Sequence, residues 1–77
     1  MNIPLLAITP TTAKMIANYH GKTDEGSRVR WLRIALVLHT AQDYNDGRLC
    51  ETSMHARFDL ALNGAAADVI QAERLLP

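Results

Sequence analysis

The sequence has little cysteine, few aromatic residues and no excess of charge of either sign. Cys50 is the only cysteine among 77 residues, so an internal disulfide is excluded. A single thiol is typical of proteins from a reducing compartment, and we expect a cytoplasmic protein. The eight basic and eight acidic side chains cancel. The chain therefore has no overall field that would attract nucleic acid or an anionic membrane.

Long hydrophobic runs and catalytic motifs are missing as well. No apolar run approaches the roughly 20 residues that span a bilayer. The apolar segment 1–8 is short and has no positive flank, unlike a signal peptide. The sequence contains no HExxH motif, no Cys/His pairs at the spacing of metal ligands and no glycine-rich phosphate loop. We therefore expect no membrane span, no cofactor and no enzymatic activity.

What the sequence does contain is enough apolar material for one small core. Hydrophobic residues make up 48% of the chain, which is ordinary for a globular domain. A chain of this size buries only about 60% of the surface that it exposes when unfolded, so an isolated copy is only marginally stable. We expect a single domain over residues 1–77, stabilised further by self-association.

Start and stop signals predict an all-α bundle of three to four helices. Thr9 and Pro10 predict a helix that runs to about His20, with Thr9 as its N-cap. The other helices are expected from about 25 to 44, from about 49 to 62 and from about 65 to 76, after a possible extended arm at 1–8. An α+β fold with a short hairpin is the alternative, because Phe58, Leu60 and Leu62 alternate with other residues as in a strand.

The helix ends and faces are also predicted. Gly21 is expected to end the first helix in a left-handed conformation, and Asn63-Gly64 to end the third. Thr23 or Asp24 can cap the second helix. The expected buried faces are Ala13, Ile16, Ala17 and His20 in the first helix, Cys50, Met54, Phe58, Ala61 and Leu62 in the third, and Ala65, Val69, Ala72 and Leu76 in the fourth.

The block from Trp31 to Leu38 is apolar nearly all the way round. It predicts a long apolar central helix, which must be enclosed by other helices or by another chain. The remaining helices are short, so part of this surface is expected to face a second copy. The candidate interface residues are Trp31, Ile34, Leu38 and Tyr44, and a symmetric dimer is the commonest arrangement for such a surface.

A cluster of basic residues supports a different function. Lys22, Arg28, Arg30 and Arg33 lie within twelve positions of one another. Arginine forks suit phosphate and carboxylate groups, so the cluster could bind an anion, a nucleotide or nucleic acid. The alternative is that these side chains form ordinary surface salt bridges beside the buried helix.

The spacing of Ala17, Gly21 and Thr23 resembles the turn of a helix-turn-helix motif. The resemblance covers about twenty residues and implies DNA binding through the second helix. That helix continues into the apolar block 31–38, whereas a recognition helix needs a polar outer face. The motif would therefore be a degenerate one.

Histidines and carboxylates recur at helical spacing. Glu51, His55 and Asp59 form one ridge, and His39 with Asp43 a second, and both sets contain zinc-type ligands. Charge pairs four residues apart are common on helix surfaces, so we expect solvated ridges and no metal. Cys50 is read as a small core residue rather than a nucleophile.

These features together predict an interaction module. In size, neutral charge and lack of a catalytic motif the chain resembles small accessory proteins of phages and mobile elements. Many of those proteins bind and block a host protein. The resemblance implies binding to, and regulation or inhibition of, an unidentified protein partner, and it transfers no residue. The alternative function is anion or nucleic-acid binding through the basic cluster.

Overall fold

A computed structural model of the protein describes residues 8–77. Its elements are α1 (Pro10–His20), α2 (Glu25–Asn45), α3 (Glu51–Asn63) and α4 (Ala66–Ala72), followed by a 3-10 turn at Glu73–Leu75. The described residues contain no strand, so the all-α prediction is confirmed and the hairpin alternative is not. The expected arm at 1–8 falls outside the described residues except for Ile8, which packs against the core.

The longest helix, α2, contacts α1, α3 and α4. The core is formed by Ala13, Ala17, Val29, Leu32, Ala35, Leu36, Ala61, Val69, Ala72 and Leu76. The expected long apolar helix is not confirmed as such, since apolar residues dominate only the block 31–38 of the 21 residues of α2. Both ends of the helix are polar, and its largest fully buried side chains, Leu32 and Thr40, lie toward one side.

Small side chains bring α1 close to α2. Ala13 and Ala17 are completely buried between the helices. The Thr9 hydroxyl accepts a 3.1 Å hydrogen bond from the Thr12 N–H, as an N-cap does, which confirms the predicted start of α1. The left-handed ending predicted at Gly21 is wrong, since its φ is −61°. A Cβ there would lie 2.5 Å from Arg28 Cδ, so the glycine permits close packing instead.

The N-cap of α2 is Asp24. Its carboxylate accepts hydrogen bonds from the Gly26 N–H at 2.9 Å and from the Ser27 hydroxyl at 2.7 Å. The hydroxyl of Thr23 donates instead to the His20 carbonyl oxygen. Beyond the other end of α2, Gly47 has a φ of +74°. This left-handed residue reverses the chain toward α3.

The face of α3 differs from the predicted stripe at both ends. Ala61 is fully buried, and Met54 and Phe58 are partly buried, as expected. Cys50 is exposed, because it precedes the helix as its N-cap and is not part of the packed face. Leu62 is 63% exposed, because one residue turns a helix by about 100° and carries it away from Ala61.

The C-terminal segment closes the bundle. Val69, Ala72 and Leu76 are buried as predicted, whereas Ala65 is exposed at the N-cap of α4. The Lys14 ammonium of α1 donates to the carbonyl oxygen of the last residue at 3.0 Å. Within residues 8–77 no helix is both long enough and apolar enough to cross a bilayer.

Candidate interaction surface on the central helix

The central helix carries a second row of side chains, which lies opposite its most buried residues. With about 3.6 residues per turn, Val29, Leu32 and Leu36 lie on one side of α2. On the opposite side lies a row that we call the outer stripe. It consists of Ser27, Trp31, Ile34, Leu38, Ala41 and Asn45. No member of the outer stripe is fully buried, and its middle four residues are all apolar.

The outer stripe has the spacing of a helix-pairing seam. Its members follow one another at alternating steps of four and three, which is the a/d spacing of a coiled coil. Trp31 and Ile34 also touch the core, so the bundle itself covers part of each side chain. Leu38 and Ala41 are likewise only partly buried.

Three of the four predicted interface residues therefore share one face. Tyr44 does not belong to it, since its position is rotated by about a quarter turn from that row. Its side chain is 40% exposed near the end of α2. The structure thus groups Trp31, Ile34 and Leu38 and separates Tyr44 from them.

An exposed apolar pair on α1 was not predicted from the sequence. Met15 is 67% exposed and Tyr19 is 73% exposed, and they lie four residues apart on the outer side of the helix. The Tyr19 ring contacts the His20 ring edge to face, with centroids 5.5 Å apart. The same helical period that assigned Ala13 and Ala17 to the core would have placed this pair opposite them.

The basic cluster does not form one patch. Arg28 makes an ion pair with Glu73 of the 3-10 turn. Arg33 donates to the carbonyl oxygens of Ala61 at 2.9 Å and Gly64 at 2.8 Å. Lys22 and Arg30 are exposed. Two of the four predicted anion-binding side chains are thus occupied by contacts within the bundle.

The geometry of α2 also bears on the helix-turn-helix resemblance. A recognition helix must present an open face to the DNA groove. Here the corresponding helix is α2, which is packed against three other helices. Its cap is Asp24 rather than Thr23, the residue on which the motif spacing relied.

The histidine ridges form separate pairs. His39 Nε2 lies 3.2 Å from an Asp43 carboxylate oxygen, and His55 Nε2 lies 3.5 Å from one of Glu51. The Asp59 carboxylate accepts a hydrogen bond from the Asn63 amide. In the described part of the chain no three His, Cys, Asp or Glu side chains come together as metal ligands would.

Cys50 has a polar environment rather than an apolar one. Its Sγ lies 3.2 Å from the Ser53 hydroxyl at the start of α3. Hydrogen bonding from this hydroxyl, and then from the Ser53 backbone N–H, lowers the pKa of the Cys50 thiol. The imidazoles of His39 and His55, which would be needed as bases for a nucleophilic cysteine, instead pair with carboxylates.

Comparison with known proteins assigns no relative. The sequence matches no family profile, and no curated protein or solved structure is significantly similar to it. The function of the protein must therefore be inferred from the surfaces of the bundle described above.

Proposed function

We propose that this protein is a small helical interaction module that self-associates and, in that form, binds and regulates a partner protein. The observation that carries the proposal is the outer stripe of α2. Part of each apolar side chain in this row stays exposed after the bundle has formed. The second row is typical of a helix that pairs with another one.

Size and charge support self-association. A 77-residue chain without a disulfide has a small core, and pairing would add apolar burial to it. The formal net charge is zero, so two copies do not repel each other through their overall charge.

To bind a partner protein while it self-associates, the bundle needs a second surface that is separate from the outer stripe. Met15 and Tyr19 supply the most exposed large apolar side chains of the described residues, and they lie on α1 rather than on α2. Exposed tyrosine and methionine are typical of protein-binding surfaces. We propose that Met15 and Tyr19 bind the partner protein and that the outer stripe mediates self-association. We place the complex in the cytoplasm, where the single thiol stays reduced.

Sedimentation equilibrium over a wide dilution range tests the proposal. We expect the wild-type protein to be a dimer or larger at micromolar concentration, with a melting temperature that rises with concentration. Leu38→Glu introduces a charge in the middle of the outer stripe and should give a monomer. Leu62→Glu is the matched control, because it makes the same change at an exposed leucine of α3.

Circular dichroism separates loss of pairing from loss of fold. A monomeric Leu38→Glu variant that keeps the helical spectrum, beside a dimeric Leu62→Glu variant, supports the proposal. A wild-type protein with the mass of one chain at every concentration overturns it. So does a Leu38→Glu variant that associates as well as the wild type does.

A further inference from the structure

Residues 65–77, which we call the C-terminal flap, are attached to the rest of the bundle mainly through side chains. In the part of the chain that the structure describes, no backbone–backbone hydrogen bond joins the flap to residues 8–62. Its buried side chains are Val69, Ala72 and Leu76, which belong to the core. Its helix α4 has seven residues and no side-chain cap, and a helix that short is not stable by itself in water. The flap is therefore helical only while it is docked.

Two polar contacts tie the flap to the first two helices. Glu73 forms an ion pair with Arg28 of α2, and the Lys14 ammonium of α1 donates to the Pro77 carbonyl oxygen. The Arg28 and Glu73 side chains keep 27% and 21% of their surface exposed, so water and salt weaken their attraction. A segment held by so few contacts can open while the rest of a protein stays folded.

The flap begins just beyond the hydrogen bonds of Arg33. That side chain donates to the carbonyl oxygens of Ala61 and Gly64, so α3 stays fixed to α2 as far as Gly64. Only Gly64 and Ala65 connect α3 to α4, and Ala65 is exposed. A change of backbone conformation at Ala65 would release the flap and leave α1, α2 and α3 in contact, because α2 packs directly on both of the others.

The flap also shows which chemistry its docking site accepts. Val69, Ala72, Glu73 and Leu76 follow the spacing i, i+3, i+4 and i+7, which is that of one helix face. The three apolar residues share a core with side chains of α1 and α2, and the acidic one meets Arg28. An amphipathic helix of another protein with the same pattern would fit the same groove.

We propose that the C-terminal flap is an autoinhibitory segment, which opens at Ala65 and uncovers a docking site for an amphipathic helix of a partner protein. That helix carries apolar residues at its first, fourth and eighth positions and an acidic residue at its fifth. The flap and the helix exclude each other, so the fraction of open chains sets the apparent affinity. Because the flap and its site belong to one chain, the proposal is independent of the proposed self-association.

Hydrogen exchange followed by mass spectrometry tests the opening. In the full-length protein we expect the hydrogen-bonded amides of α4 to exchange at least about tenfold faster than those of α2 around Leu32, after correction for intrinsic rates. Glu73→Gln removes the ion pair and keeps the side-chain shape, so it should accelerate exchange in α4 alone. Asp46→Asn is the control, because it makes the same change of charge at an exposed position outside the flap. Equal protection of α4 and α2 in the wild type would show that the bundle opens only as a whole, which overturns the proposal.

A labelled synthetic peptide of residues 65–77 tests the docking site. Fluorescence anisotropy should show weak binding to the wild-type protein, whose site is occupied by its own flap. Leu76→Ala in the full-length chain removes a buried anchor and should tighten peptide binding at least about tenfold, because more chains are open. Leu75→Ala is the matched control, since it truncates the neighbouring leucine, which is 41% exposed, and should bind the peptide as the wild type does.

The same exchange measurement shows whether α2 stays folded in Leu76→Ala. If α2 loses its protection there, the peptide comparison is made between Glu73→Gln and Asp46→Asn instead. Tighter binding to the variant with the weakened flap supports the proposal, provided that a peptide with alanine at position 76 does not bind. Equal binding to that variant and to its control, or binding to neither, overturns the docking site even where the flap opens.

Discussion

The Arg33 guanidinium donates a 2.8 Å hydrogen bond to the carbonyl oxygen of Gly64, the residue that ends α3. A second bond from the same group, 2.9 Å long, reaches the Ala61 carbonyl oxygen. The last carbonyl groups of a helix have no partner within the helix and carry partial negative charge. Arg33 therefore fixes the end of α3 to the middle of α2.

Removing this clamp should destabilise the fold. We expect Arg33→Ala to lower the free energy of unfolding by about 2–3 kcal/mol, because two hydrogen bonds to a charged donor are lost. Arg48→Ala is the control, since Arg48 is exposed in the loop between α2 and α3, and its change should stay within about 0.5 kcal/mol. Urea unfolding of both variants at one protein concentration measures the difference, and equal stabilities would contradict the clamp.

The glycine that ends α3 is required by space rather than by backbone conformation. Gly64 has a φ of −64°, which any residue adopts. A Cβ there would overlap the carbonyl oxygen of Leu60 and lie 2.9 Å from its Cδ1. We expect Gly64→Ala to cost about 1–3 kcal/mol through overpacking.

A second glycine provides the matched control for Gly64→Ala. Gly26 lies in the first turn of α2, where the nearest atom to an added Cβ is an Asp24 carboxylate oxygen at 3.3 Å. Gly26→Ala should change the stability by less than about 1 kcal/mol. Thermal melts of the two variants give the comparison, and a Gly64→Ala variant as stable as the wild type would show that α3 ends differently.

Local signals sufficed to predict the helices, and long-range contacts explain most of what was missed. Thr9 and Pro10 set the start of α1 through contacts within one turn, so the sequence reveals them. The ion pair that occupies Arg28 joins residues 45 positions apart. The bonds of Arg33 span about 30 positions. No local pattern distinguishes such structural arginines from anion-binding ones.

The candidate surface was predicted in part. The apolar block alone could not show which of its residues face the core, because every helical face of it is apolar. Only the positions of α1, α3 and α4 around α2 determine that Leu32 and Leu36 are buried while Trp31 and Leu38 are partly exposed. The exposed α1 pair was missed because periodicity was used to find the core and not its opposite face. The polar setting of Cys50 was missed because the residue precedes α3 as its N-cap and does not lie on the packed face.

The charge of Asp24 should contribute to stability in a pH-dependent way. Hydrogen bonds from the Ser27 hydroxyl, then from the Gly26 N–H, lower the pKa of the Asp24 carboxyl below its ordinary value. A lowered pKa in the folded state means that the stabilisation is present above the unfolded pKa of about 3.9 and is lost as the pH falls through the folded pKa. The advantage of wild type over Asp24→Asn should therefore shrink in acid.

Carbon NMR titration of the Asp24 carboxyl measures the shift directly. We expect a midpoint below the ordinary aspartate value in the wild type. Ser27→Ala removes the strongest donor and should move the midpoint upward. An Asp24 midpoint that is the same in both proteins would show that the Ser27 hydroxyl does not bind the carboxylate in solution.

Cys50 should be more reactive than an ordinary cysteine near neutral pH. The thiol is exposed, and the Ser53 hydroxyl and backbone N–H lower its pKa by hydrogen bonding to the thiolate. Since the thiolate is the reacting form, the folded protein should react with a chromogenic disulfide at a lower pH than an unstructured cysteine does. Ser53→Ala should move the midpoint of the rate–pH profile upward, because the largest of these interactions is lost. Arg48→Ala, in the neighbouring loop, removes a nearby positive charge and leaves Ser53 in place. It therefore measures how much of the lowered pKa comes from charge rather than from Ser53. A thiol that reacts only after denaturation would instead mean that Cys50 is covered in solution, and the N-cap position assigned to it would be wrong.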